Sequence, residues 1–108
     1  MTNWLCSELI TVLYTVNGRP LRATANLEEI SQSWALVLLD RSPECGSYLS
    51  FIAQGQELRG IVKEIRYEPL LGWFACLELD RRSPWSEAWF RPKHGLQVRV
   101  AAPVSSAA

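Results

Sequence analysis

Between Glu8 and Leu79 apolar residues recur at every second position in a series of short runs, broken by turn residues. That period fits strands, and no strong amphipathic helix stands among the runs. The first run, Glu8 to Val16, sets Ile10, Val12, Tyr14 and Val16 on one face and is dense in β-branched residues. Asn17-Gly18 follows and predicts a tight hairpin, because both residues tolerate positive φ. Pro20 opens the returning strand, where its missing N–H does least harm. From Leu21 to Glu28 the alternation is clean: Leu21, Ala23, Ala25 and Leu27 face one way, and Arg22, Thr24, Asn26 and Glu28 the other.

The stretch Leu27 to Leu39 joins this hairpin to the rest of the chain. A break at Ser31-Gln32-Ser33 leads into Trp34 to Leu39, a strand apolar on both faces and therefore expected to be central or covered. The loop Asp40 to Gly46 and the strand Ser47 to Ala53 come next, followed by a turn at Gln54-Gly55-Gln56. The long strand Glu57 to Tyr67 loses its phase, and Gly60 is expected to mark a bulge or bend. After a turn at Pro69 to Gly72, the strand Trp73 to Leu79 sets Trp73, Ala75, Leu77 and Leu79 on one face. Six strands with short links predict an all-β fold, a small six-stranded antiparallel β-barrel, since closure removes exposed edges. Past Asp80, Ser83 to Phe90 reads as a short C-terminal helical turn. A serine would cap it, Pro84 would sit in its first turn, and Trp85 and Trp89 would share a face. Leu96 to Val100 suits a short closing strand. With 108 residues the chain supports one domain, residues 1–100, and 101–108 is expected to be a disordered tail.

Composition narrows the function. Net charge is zero, so no global field draws in nucleic acid or an anionic membrane. From Arg81 to Arg99, however, five basic residues (Arg81, Arg82, Arg91, Lys93, Arg99) face one acidic residue, Glu87. This segment fits either a solvated surface or a partner-binding one. Three scattered cysteines, Cys6, Cys45 and Cys76, form no CxxC pair and fit a reduced, cytoplasmic protein with no metal site. Cys76 is expected to be a small buried hydrophobe. No signal-peptide pattern and no apolar run long enough to span a membrane is present, so none is expected. His94 is the sole histidine and the glycines stand isolated, so neither a triad nor a phosphate loop is indicated. The chain is read as no enzyme, with no catalytic residue and no cofactor. Trp34, Trp73, Trp85 and Trp89 suit either barrel packing or a ligand surface. The basic residues follow the strands instead of interleaving with aromatics, which speaks against nucleic acid.

From Leu21 to Leu79 the order of elements resembles a PilZ domain, the small six-stranded barrel of bacteria. The family pattern is a strand ending in [Asp/Asn]-x-Ser-x-x-Gly, then an apolar strand, a loop with Pro and Gly, and three further strands. The chain reads Glu29-Ile30-Ser31-Gln32-Ser33-Trp34, then ALVLL, SPECGSYLSF, ELRGIVKEI and LLGWFACLEL. The resemblance implies a cyclic di-GMP site, built from an Arg-x-x-x-Arg segment ahead of the barrel and from the serine turn. The departures from it are specific. Met1 to Ser7 holds no arginine, and Arg19 and Arg22 lie in the first hairpin. Glu29 replaces Asp or Asn, Ser31 is kept, and Trp34 stands where glycine belongs. Two phosphates need guanidinium forks, and a tryptophan fills space that a base would occupy. The expectation is a PilZ-like, non-enzymatic module of bacterial signalling that contacts a protein partner and binds cyclic di-GMP weakly or not at all. Its expected partner surface is Arg81, Arg82, Trp85, Trp89 and Arg91. The alternative is a working cyclic di-GMP receptor in which Arg19, Arg22 or the C-terminal cluster replaces the missing pair, beside Glu29, Ser31 and Trp34.

Overall fold

The structure, a computed structural model, describes residues 2–82 and 84–99. Seven strands are present: β1 (Thr2–Val16), β2 (Arg19–Ile30), β3 (Trp34–Leu39), β4 (Tyr48–Ala53), β5 (Gln56–Glu68), β6 (Gly72–Leu79) and β7 (Leu96–Arg99). The order β1-β2-β3-β6-β5-β4 returns to β1 and closes a six-stranded antiparallel barrel. β7 is an addition outside the ring, paired with the first residues of β1. β1 serves both neighbours because it is long. Thr2 to Leu5 pairs with β7, and Thr11 to Tyr14 pairs with β4.

Alternation packs the interior as the sequence leads one to expect. Val12, Leu27, Ile30, Val37, Leu49, Phe51, Leu58, Val62 and Leu77 are fully buried and make one continuous core. Asn17 and Gly18 both take positive φ and give the expected tight turn. The expected bulge of β5 falls between Val62 and Glu64, not at Gly60. Gly60 instead allows close strand approach: a Cβ there would lie 2.7 Å from the Glu78 carbonyl oxygen.

Three further expectations are corrected. β1 starts at Thr2, six residues before Glu8. Its early half was hidden because a bulge lies between Leu5 and Glu8, and because the inward position 8 holds a carboxylate. Glu8 is only 5% exposed. Its Oε1 accepts from the Lys93 backbone N–H at 2.6 Å and from Gln54 Nε2 at 3.1 Å, and that Gln54 nitrogen also donates to the Arg91 carbonyl at 2.7 Å. The carboxylate therefore fastens the C-terminal segment to β1 and to the β4–β5 turn, which satisfies a charge that would otherwise be costly to bury.

The second correction concerns the C-terminal segment. No helix forms among the described residues; a single turn closes from Trp89 N–H to the Ser86 carbonyl at 2.9 Å. The Ser83 cap, the tail 101–108 and Val100 lie outside the described residues. Trp85 and Trp89 do not share a face. Trp85 is 4% exposed and packs edge-to-face on Phe90 at 6.0 Å, while Trp89 faces solvent. The Trp85 backbone N–H donates to the Gln32 carbonyl at 3.1 Å, so the segment crosses the β2–β3 turn and plugs that end of the barrel. A spacing of five between the two anchors is incompatible with one helical face.

The third correction is Cys76, which points outward from β6 between the inward Ala75 and Leu77 and is only half-buried.

Candidate functional site

The outer face of β2, β3, β6 and β5 carries a groove of about 380 Å³. It exists because β3 and β6 are apolar on both faces: Ala35, Val37, Ala75 and Leu77 point into the core, which leaves Trp34, Leu36, Phe74 and Cys76 outside. Register then sets the groove's charge. Glu29 pairs with Leu36, Leu36 with Cys76, and Cys76 with Glu64, so one row across four strands reads carboxylate, leucine, cysteine, carboxylate. In the neighbouring row, Leu38 is opposite Phe74 and Phe74 opposite Arg66. The Arg66 guanidinium lies 5.7 Å from the Phe74 ring centre and 3.2 Å from a Glu68 carboxylate oxygen. Among the described lining residues Arg66 is the one cation, against Glu29 and Glu64.

The two carboxylates act on the groove's thiol. Cys76 has its pKa raised, first by burial and then by Glu64 and Glu29, so the thiol stays protonated and apolar at neutral pH. Glu29 is held in place by Asn3, whose Nδ2 donates to Glu29 Oε1 at 2.8 Å.

Of the family-motif residues, Glu29, Ser31 and Trp34 meet at this groove. Ser31, however, is turned to local work. It is 3% exposed; its N–H donates to the Trp34 carbonyl at 2.8 Å, and its Oγ accepts from the Trp34 N–H at 3.2 Å. The hydroxyl thus closes the β2–β3 turn. Trp34 is partly exposed and forms the groove's wall at the same turn.

Arg19 and Arg22 are elsewhere. Both lie at the start of β2, with Arg22 opposite Leu13 and Arg19 opposite Val16. Seven residues of extended chain put Arg22 about 24 Å from Glu29. Arg22 instead lines a shallow cleft with Tyr48, Ser50, Glu57 and Arg59. Arg81 and Arg82 are exposed in the turn after β6, beside Tyr48, Glu78 and Asp80. Trp89 and Arg91 are also exposed. Trp85 leaves this expected partner surface, because it is part of the barrel's plug.

Leu36, Glu64, Arg66 and Phe74 belong to the groove but were not singled out from sequence, and Cys76, also in the groove, was expected to be buried. The available signal was the doubled apolar character of ALVLL and WFACL; what sequence did not reveal is that β3 and β6 pair. Comparison with protein-family models, curated proteins and solved structures gives no match, so the reading of this groove rests on its own chemistry.

Proposed function

We propose that this chain is a PilZ-like, non-enzymatic interaction module of bacterial signalling, acting in the cytoplasm, whose outer groove receives a protein segment and not cyclic di-GMP. The observation that carries this reading is the row Glu29–Leu36–Cys76–Glu64, an apolar floor between two carboxylates. A dinucleotide brings two negative phosphates. At about 7 Å and an effective dielectric near 20, each carboxylate–phosphate pair is unfavourable by about 2 kcal/mol before salt screening. Arg66 alone, with Glu68 beside it, does not make the paired guanidinium forks that would reverse this balance. An extended partner segment that alternates apolar and basic side chains suits the groove: apolar residues cover Leu36 and Phe74, and flanking Lys or Arg meets Glu29 and Glu64.

The test uses Cys76 as a reporter. A short peptide alternating lysine and leucine slows alkylation of Cys76 several-fold at about pH 9, where thiolate is more abundant, and leaves exposed Cys45 unchanged. Replacing Glu29 and Glu64 together by Gln has two effects. It speeds Cys76 alkylation without peptide, because the negative charges that raise the thiol's pKa are gone, and it removes the peptide's protection. Equal protection of Cys45 and Cys76, or protection that survives the double replacement, would sink the proposal.

A further inference from the structure

The side of the barrel opposite the groove carries a matching row of opposite sign. Arg22 of β2 pairs with Leu13 of β1, Leu13 with Ser50 of β4, and Ser50 with Arg59 of β5. All four point outward, beside the buried Val12, Tyr14, Leu49, Phe51 and Leu58, and all four line one cleft of about 480 Å³. This row reads guanidinium, leucine, serine, guanidinium. The groove row reads carboxylate, leucine, cysteine, carboxylate, from Glu29 to Glu64. Each row begins on β2, ends on β5 and crosses two strands between them, one row on each half of the ring. Three strand spacings of about 4.8 Å separate the charged ends in both, so their spans match. The surrounding charges keep the contrast. Glu57 is the one acid among the described lining residues of the cleft. Around the cleft, Arg19, Arg41, Arg81 and Arg82 are set against Asp40, Glu78 and Asp80. Around the groove, Arg66 is paired with Glu68, and Lys63 is set against Glu28. The cleft side is therefore net basic and the groove side net acidic. Among the described residues neither Arg22 nor Arg59 forms an ion pair, and Arg59 is held over the cleft by Tyr48, its Cζ 3.9 Å from the ring centre.

We infer that the chain associates head to tail, with the Arg22–Leu13–Ser50–Arg59 row of one copy covering the groove of a second copy. This deepens the groove reading and rests on it, since it names the chain itself as a ligand of the groove. Arg22 and Arg59 meet Glu29 and Glu64, and Leu13 and Ser50 lie over Leu36 and Cys76. Opposite charges at both ends of the row fix its register on the groove, and like charges repel a copy that presents groove to groove or cleft to cleft. The rows of one chain face away from each other, so they are satisfied only between copies. The contact uses a different surface on each copy, so every association leaves one groove and one arginine row free at the ends. A segment of alternating apolar and basic residues competes for the same groove and breaks the association.

The test is sedimentation velocity of the intact chain at low salt. The weight-average sedimentation coefficient rises with concentration between about 10 and 500 µM, and about 0.5 M salt returns it to the monomer value. Arg22→Gln with Arg59→Gln stays monomeric, as does Glu29→Gln with Glu64→Gln. Mixed in equal amounts, the two variants form a one-to-one pair, because the first keeps the native groove and the second the native arginine row. That restoration also shows both to be folded. At about pH 9, Cys76 of the arginine-replaced variant is alkylated several-fold more slowly in the mixture than alone, while Cys76 of the other variant is unchanged; mass spectrometry separates the two. A native chain that stays monomeric at low salt overturns the inference, as does association that either double replacement leaves intact, or a mixture that stays monomeric. Protection of Cys76 by the lysine–leucine peptide in a chain that stays monomeric removes this inference alone; absence of both removes the groove reading with it.

Discussion

Trp85→Ala destabilises the barrel by about 3 kcal/mol, seen as a lower urea midpoint with the spectroscopic signature of the folded state retained at zero denaturant. Removing a buried tryptophan side chain typically costs about 3–5 kcal/mol, and the lower end applies here. The Trp85 Nε1–H is buried and meets no acceptor among the described residues, a penalty of about 1–3 kcal/mol that alanine relieves. What remains is the lost contact with Phe90 and the opened barrel end. Trp89→Ala provides the control. Its side chain faces solvent, so stability changes by less than about 0.5 kcal/mol. If the two variants proved equally destabilising, the assignment of Trp85 as plug and Trp89 as surface would be wrong.

Gly72→Ala has an effect of similar size from a different source. Gly72 has φ +130°, where an L-residue is held at a cost of about 1–3 kcal/mol. An added Cβ would also lie 2.6 Å from the Leu39 carbonyl oxygen, a backbone atom in the neighbouring strand that cannot rotate away as a side chain would. The sum is a loss of about 2–4 kcal/mol, with the damage centred where β3 meets β6. Stability within about 0.5 kcal/mol of the native chain in the same urea titration would contradict this backbone geometry.

The fold was legible where one signal acted alone. Period-two alternation from Ile10 to Val16 and from Leu21 to Leu27 placed the interior of β1 and β2, and Asn17-Gly18 placed their turn. Legibility failed where a tertiary partner overrode local pattern. Glu8 breaks the apolar face of β1, and its partners Gln54 and Lys93 are far off in sequence. Trp85 and Trp89 have helical spacing, but the barrel mouth selects Trp85 and Phe90 instead. Ser31 and Glu29 marked the right turn, yet the other half of the groove comes from β6 and β5, brought there by strand pairing. The hairpin tip was visible as the turn Pro69 to Gly72. The positive φ of Leu70 within that turn becomes apparent only in three dimensions.

Isothermal titration of the intact chain with cyclic di-GMP decides whether the groove rejects the dinucleotide. With Glu29 and Glu64 flanking the groove and Arg19 and Arg22 at the far end of β2, no saturable heat is expected at low salt, where electrostatic attraction would be strongest. A micromolar or tighter constant, lost on Ser31→Ala or Arg22→Ala, would contradict it and establish a working receptor built on other arginines.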